Sequence, residues 1–511
     1  MATKLHAAEV VGLSGKIIDV EIDLSPGLFH FSIVGLADKA VSEAKERVSA
    51  AIKSIGARSP QKKNQRVTIS LAPADLKKEG PIFDLAIALA YLLASKQTKF
   101  DPKGKIFLGE LALDGALRQI HGVLALAEAA KHHGFKELYV PKGNGDEAAL
   151  VSGISVFEAT SLADIIEHLE KETFIPPHPH KKFRSAESAP LIDFSDVRGQ
   201  ESAKRGLEIA AAGSHNALMV GPPGTGKTML ARAFASILPP LSYNEALEVT
   251  KVHSISGTLK EGEYLVTTRP FRNPHHTSSY VSVVGGGAFP RPGEITLAHR
   301  GVLFLDEFPE FERKVIESLR QPLEDKVITV SRARATLNFP AQIMMIVAMN
   351  PCPCGNLGSQ KNCVCNPGSL ARYQRKISGP IVDRIDLWLG VYAIAHKKLE
   401  DDISGSAPPE TSEKIRERVL RARDIQQKRF ADSHILTNAE MSVREIKKYC
   451  ALDAESKSIL QQAAARLDLS PRSYHRVIKL ARTIADLANE KNILKEHILE
   501  ALQYRPSQSL I

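Results

Sequence analysis

Cysteine is scarce in this chain, with five residues in 511, so a disulfide framework is excluded as the device that holds it together. No run of eighteen apolar residues occurs, and Met1-Ala2-Thr3-Lys4 leads straight into a domain without a charged-then-apolar leader. Neither a membrane span nor secretion is indicated, and a cytoplasmic location is the expectation. Internal repeats and long low-complexity tracts are also missing, which argues against a solenoid or a disordered tether. What is present is a globular composition, 43% hydrophobic, in a chain longer than one core usually supports, so two or three domains are expected. The formal charge of +9 permits a polyanionic partner, although solubility alone also accounts for an excess of that size.

From the start to about residue 170, short strands alternate with helices. Ile17-Ile18-Asp19-Val20-Glu21-Ile22, Phe29 to Val34 and Arg66 to Leu71 read as strands, while Lys39 to Ile55 and the strongly apolar Asp84 to Leu93 read as helices. A compact α/β domain is expected over 1–170. Residues 171–190, with Pro176-Pro177-His178-Pro179-His180-Lys181-Lys182, break both periodicities and read as a solvated linker. A second α/β unit is expected over 191–393. A helical domain is expected over 394–511: beyond the joint at Ser404-Gly405-Ser406-Ala407-Pro408-Pro409, Thr411 to Gln503 is almost wholly helical in pattern.

Gly221-Pro222-Pro223-Gly224-Thr225-Gly226-Lys227-Thr228 matches G-x-x-x-x-G-K-[ST] in full, after the apolar strand Ala217 to Val220 and before a helical stretch. Glycines let backbone N–H groups close around phosphate oxygens at a helix N-terminus, Lys227 reaches the β/γ-phosphates, and the Thr228 hydroxyl suits magnesium. A turn that binds nothing is the alternative, and the strand-loop-helix setting speaks against it. Gly301 to Leu305 is another apolar strand, ending in Asp306 and Glu307. Beside a phosphate loop the first acid suits magnesium and the second suits polarising water, against a plain acidic turn. A third strand, Ile343 to Met349, ends at Asn350, whose amide suits orienting water or touching the γ-phosphate.

Four of the cysteines, Cys352, Cys354, Cys363 and Cys365, fall within fourteen residues directly after Asn350. Four thiolates in so short a loop suit tetrahedral, closed, structural zinc, while the C-x-C spacing departs from the usual C-x-x-C knuckle; a metal-free loop and redox-labile thiols are the alternatives. Cys450 stands alone on a helical pattern and is expected in the core.

The strand-Asp-Glu and strand-Asn layout, with Arg269-Pro270-Phe271-Arg272-Asn273-Pro274-His275-His276-Thr277, Gly285-Gly286-Gly287, Pro292-Gly293-Glu294-Ile295, Ala298-His299-Arg300-Gly301 and Ser378 to Leu387, resembles the magnesium-chelatase-like AAA+ ATPases, specifically their ComM/YifB branch. The resemblance covers nearly the whole chain and implies ATP and magnesium as ligands and a homo-oligomeric ring, expected to be a hexamer. It places Val197 and Gln200 near adenine, Arg384 of Asp383-Arg384-Ile385-Asp386 as an arginine finger toward a neighbouring subunit, and Arg472 as a second sensor on a helical lid, with Arg476 as its rival. Physically, both arginines supply positive charge where the transition state gathers negative charge.

The first domain resembles the Lon-protease-like, ribosomal-S5-type fold, but Ile82 stands at the serine position and Leu126 at the lysine position. Neither side chain attacks a carbonyl or carries a proton, so peptidase activity by that dyad is excluded. Lys62-Lys63-Asn64-Gln65-Arg66 either meets phosphates or is a solvated basic turn. Similarity to ring helicases implies pore-facing hairpins at about Ser254 to Gly287 and Asp325 to Phe339. In the second, Arg332 and Arg334 would grip successive DNA phosphates, against a merely solvated tip. The function expected is an ATP-driven DNA motor that migrates branched junctions. The alternative is a chelatase-type motor that remodels a protein partner, and a non-enzymatic scaffold conflicts with the intact Lys227, Asp306, Glu307 set.

Overall fold

The computed structural model describes residues 3–36, 38–62, 64–180, 183, 192–260, 262–287, 290–332, 335–357, 361–393 and 409–505, apart from the side chains at 62, 332 and 335. The chain forms two compact units, one from Met1–Arg184 together with Tyr243–Val266, the other from Ser185–Ser242 together with Thr267–Ile511.

In the first unit Thr3–Val11 and Ser14–Pro26 pair antiparallel, and Gln65–Ala72 and His30–Val34 complete a four-stranded sheet. Ile18, Val20 and Ile22 on one strand, and Val67, Ile69 and Leu71 on another, point to the same buried face, the period of two that a half-covered strand requires. Helices Lys39–Ser54 and Asp84–Ala94 belong to the same unit. The first begins where the Asp38 carboxylate accepts from Val41 N at 2.7 Å, and the second, apolar all round, is buried along nearly its whole length. A smaller parallel sheet of Lys105–Phe107, Glu137–Pro141 and Ser155–Ala159 carries a stack of Phe107, Tyr139 and Phe157, with centroids 4.9 and 5.1 Å apart. His178 is not solvated: its N–H donates to Val156 O at 2.7 Å and its ring meets Asp146 and Glu158.

The helix Tyr243–Ile255 joins this unit although it lies far along the chain. Ser254 Oγ accepts from Gly122 N at 2.8 Å and donates to the buried carboxylate of Glu147, which also takes Leu124 N at 2.9 Å. The expected insertion at Ser254–Gly287 is therefore divided. Through Val266 it packs with the first unit, and beyond that it supplies the strand Phe271–Arg272, the short helix Tyr280–Val284 and a two-residue pairing of Gly285–Gly286 with Arg291–Pro292. The reason is local chemistry, since a buried Glu147 needs a donor and Ser254 is the side chain that brings one.

The second unit is built on a five-stranded parallel sheet in the order Phe271–Arg272, Val302–Leu305, Met344–Met349, Ala217–Val220, Leu387–Gly390. The three central strands are buried at every residue, as helices on both faces of a parallel sheet demand. Asn216 ties the amino ends together: its side chain accepts from Met345 N at 2.9 Å and donates to Arg384 O at 3.2 Å, and its carbonyl accepts from Asp386 N and Leu387 N. The helices Ser412–Arg429, Ala454–Arg466, Pro471–Leu487 and Lys495–Gln503 share one core with the sheet, in which Phe234, Phe304, Ile346, Leu387, Val419, Leu480 and Ile498 are fully buried or nearly so. Cys450 lies in that core. Val327–Arg332 and Ala335–Pro340 form a separate antiparallel hairpin in register from Val327↔Pro340 to Arg332↔Ala335. Arg334 and the Arg332 side chain lie outside what is described. No helix among the described residues is long and apolar enough to cross a membrane.

Candidate nucleotide site at the carboxyl edge of the parallel sheet

Because the strands are parallel, the residues that follow each of them leave at one edge, where ligands of open α/β sheets bind. The loop Gly221–Thr228 follows one strand, Asp306 and Glu307 a second, Asn350 a third, and His276 lies a few residues beyond a fourth. Gly221 is fixed at the loop's base, where a Cβ would meet Val391 O at 1.9 Å, while Gly226 takes a φ of +88°, left-handed backbone that a side chain disfavours. The helix Lys227–Ser236 starts there, so the first N–H groups of its opening turn have no intrahelical partner and face the loop.

Lys227 is buried, and its ammonium donates to Gly221 O at 2.7 Å, Pro222 O at 2.9 Å and Asn350 Oδ1 at 3.2 Å. Burial pushes its pKa below the usual lysine value, with Asp306 and Glu307 pulling the other way. Thr228 Oγ1 donates to Asp306 Oδ2 at 2.8 Å, so a hydroxyl and a carboxylate converge as hard oxygen donors, a set that fits magnesium. Glu307 N donates to Asp306 Oδ1 at 2.9 Å. The Glu307 backbone is left-handed, φ +51°, and His276 Nδ1 lies 3.0 Å from its Oε2. Val197 is buried, and Gln200 holds Tyr392 from both sides, Nε2 donating to Tyr392 O at 2.6 Å and Oε1 accepting from Tyr392 N at 3.3 Å.

The two arginines form a second group. Arg384, buried, pairs with Glu324 Oε1 at 2.5 Å, and the more exposed Arg472 pairs with the same oxygen. Arg476 pairs instead with Asp386, which is buried beside it. Sequence reasoning singled out neither Glu324, which takes both arginines, nor the His276–Glu307 contact. The doublet His275-His276 was the visible signal for the latter, whereas a glutamate on a helix carries none.

The four thiols gather immediately downstream. Cys352 Sγ is 3.4 Å from Cys354 Sγ and 3.7 Å from Cys363 Sγ, Cys354 and Cys363 are 3.6 Å apart, and all four sulfurs lie within 4.8 Å of one another. Zinc–sulfur bonds of about 2.3 Å in a tetrahedron require sulfur pairs about 3.8 Å apart, so the donor set fits that ion. Backbone hydrogen bonds from Asn356 and Val364 draw the Cys354 thiol down to about 6, while burial and the neighbouring thiols push Cys363 and Cys365 up.

A phosphate loop, paired acids and a polar strand end on one edge of a parallel sheet define a nucleotide-binding α/β protein. Comparison with known proteins narrows the class. Family models match in three consecutive stretches: the subunit ChlI of magnesium chelatase over residues 20–144, magnesium chelatase subunit ChlI over 193–399, and the ChlI C-terminal region over 409–505. The chain is 42% identical to competence protein ComM of Haemophilus influenzae across 99% of its own length and 98% of that protein's. It is also 42% identical to YifB of Escherichia coli, with 99% and 97% covered. The magnesium-chelatase 38 kDa subunit of Rhodobacter capsulatus is 28% identical over 32% of this chain and 52% of its own. The chain belongs to the ComM/YifB branch of the magnesium-chelatase-like proteins, and its mixed α/β architecture fits the AAA+ fold of that family.

Proposed function

We propose that the protein is an ATP-hydrolysing, ring-forming AAA+ motor that moves along DNA in the cytoplasm, a branch-migration helicase for recombination of incoming DNA. The observation that carries the ATPase is the convergence on one sheet edge of Lys227 with Asn350 and of Thr228 with Asp306. An arriving γ-phosphate takes the place of the carbonyls on Lys227, and the loop's N–H groups close on the other phosphate oxygens. Glu307 polarises the attacking water, Asn350 orients it, and Val197 and Gln200 border the adenine. Thr228 and Asp306 would hold magnesium, which would supply neutralising charge to the phosphates. Arg384 and Arg472, already gathered at one carboxylate, are offered together to the transition-state charge, Arg384 across a subunit boundary in a hexamer. Cys352, Cys354, Cys363 and Cys365 would hold zinc in a closed site, where it would serve structure.

DNA as the track is supported by the basic charge, by the antiparallel hairpin that carries Arg332 and Arg334, and by the near full-length likeness to a protein named for competence. The family match to chelatase subunits favours a second reading, a motor that remodels a protein partner. ATP turnover measured with and without branched, single- and double-stranded DNA decides. DNA is expected to raise turnover several-fold, and Glu307→Gln to abolish it by about a hundredfold or more while retaining nucleotide. Turnover indifferent to DNA, with no DNA bound at low salt, rejects the DNA motor and leaves the remodeller; a wild-type protein without turnover rejects both.

A further inference from the structure

We propose that the four-thiolate zinc loop is a brace for the nucleotide site, so that metal binding and nucleotide binding strengthen each other. The inference rests on the readings of nucleotide and zinc given above and goes beyond them in joining the two. Two physical routes connect the sites. The first runs along the chain: Asn350 Oδ1 accepts from Lys227 at 3.2 Å, and Cys352, fully buried, follows two residues later. Tyr373 OH holds the same turn, donating to Asn350 O at 3.2 Å.

The second route is a steric contact. Gly355, between the cysteine pairs, is buried with a φ of +78°, and a Cβ there would come within 2.7 Å of Pro223 Cδ and 3.1 Å of Pro223 Cγ. The cysteine loop thus lies against the phosphate loop, on a proline that is otherwise exposed. Leu357 N donates to Cys352 Sγ at 3.3 Å, which folds the loop back over its first ligand. Zinc, fixing all four sulfurs, would make this turn rigid and hold Asn350 and Pro223 in the geometry that receives phosphate. By linkage, whatever factor zinc adds to nucleotide affinity, nucleotide must add to zinc affinity.

The test follows zinc directly. Full-length protein purified without added metal is expected to hold one zinc per chain, and its zinc affinity, read by equilibrium competition with a chromogenic chelator, to rise about tenfold when saturated with magnesium and a non-hydrolysed ATP analogue. Lys227→Ala, which removes phosphate recognition, is expected to lose that rise while keeping its zinc. In the converse measurement, zinc-stripped protein should bind the analogue about tenfold more weakly and recover on adding zinc back. Gly355→Ala keeps all four thiols while forcing Pro223 to move, and is expected to hold zinc yet bind the analogue more weakly. Zinc affinity that is the same with and without bound analogue overturns the brace while sparing the nucleotide and zinc readings. Protein that binds the analogue but contains no zinc overturns the brace through the metal, and protein that contains zinc but binds no analogue overturns it through the nucleotide.

Discussion

Asp386 shows what one residue does in this structure. Its carboxylate is fully enclosed, takes Asn216 N at 3.1 Å, lies 3.5 Å from His215 Nδ1 and pairs with Arg476 on the helix Pro471–Leu487. Burial opposes its ionisation, but Arg476, His215 and the Asn216 N–H outweigh it and hold the carboxyl well below the usual range. A carboxyl depressed in the folded state stabilises fully above its unfolded value and loses that contribution only as pH falls below it. Stability should therefore show no Asp386 step between pH 8 and 5. Asp386→Asn, which leaves Arg476 largely buried without its counter-charge, is expected to cost about 3–5 kcal/mol in urea unfolding followed by helix signal at pH 7. A loss below about 1 kcal/mol would show that the pair does not fasten the helix to the sheet.

At the scale of elements, the three central strands of the parallel sheet were legible because each is a short apolar run, and the residues that end them are the candidate site groups Gly221, Asp306 and Asn350, whereas the outer strands Phe271–Arg272 and Leu387–Gly390 were not read as strands. Parallel pairing turns those separate stops into one edge. Contacts made by side chains from distant elements were not legible, among them Glu324 with two arginines, His276 on Glu307 and Gly355 against Pro223. Periodicity also identifies a helix without saying which sheet it covers, which is why Tyr243–Ile255 joins a unit that pattern alone did not give it. The hairpin Val327–Pro340 carries the DNA reading at this scale. Replacing Arg332 and Arg334 together by alanine is expected to reduce by nearly two the slope of log affinity for duplex DNA against log salt, equally on unrelated sequences. An unchanged slope would remove these residues from the DNA path.

For the whole molecule, the decisive feature is that Arg384 and Lys227 belong to different hydrogen-bonded groups of one chain, the first on Glu324 and the second on Asn350. If a site is completed between subunits, mixing two inactive proteins restores it. Lys227→Ala subunits, which keep Arg384, and Arg384→Ala subunits, which keep the phosphate loop, should each turn over at least a thousandfold slower, yet regain in equal mixture about a quarter of the wild-type interfaces. Mixtures no more active than their components would place both groups in service of the same subunit.

The first unit is drawn from two separated stretches, and this sets an order on events during synthesis. With residues up to Arg184 made, Glu147 still lacks Ser254, and the unit is complete only once Val266 has emerged. By then the strand Ala217–Val220 and the helix Lys227–Ser236 already exist, while every strand meant to pair beside them is still to be translated. At roughly 5–20 residues per second, the wait from Arg184 to Val266 is on the order of ten seconds. From Val220 until Val266 emerges, an unpaired apolar strand and a half-built first unit share one nascent chain, and the strand stays without a partner until Met344–Met349 is made.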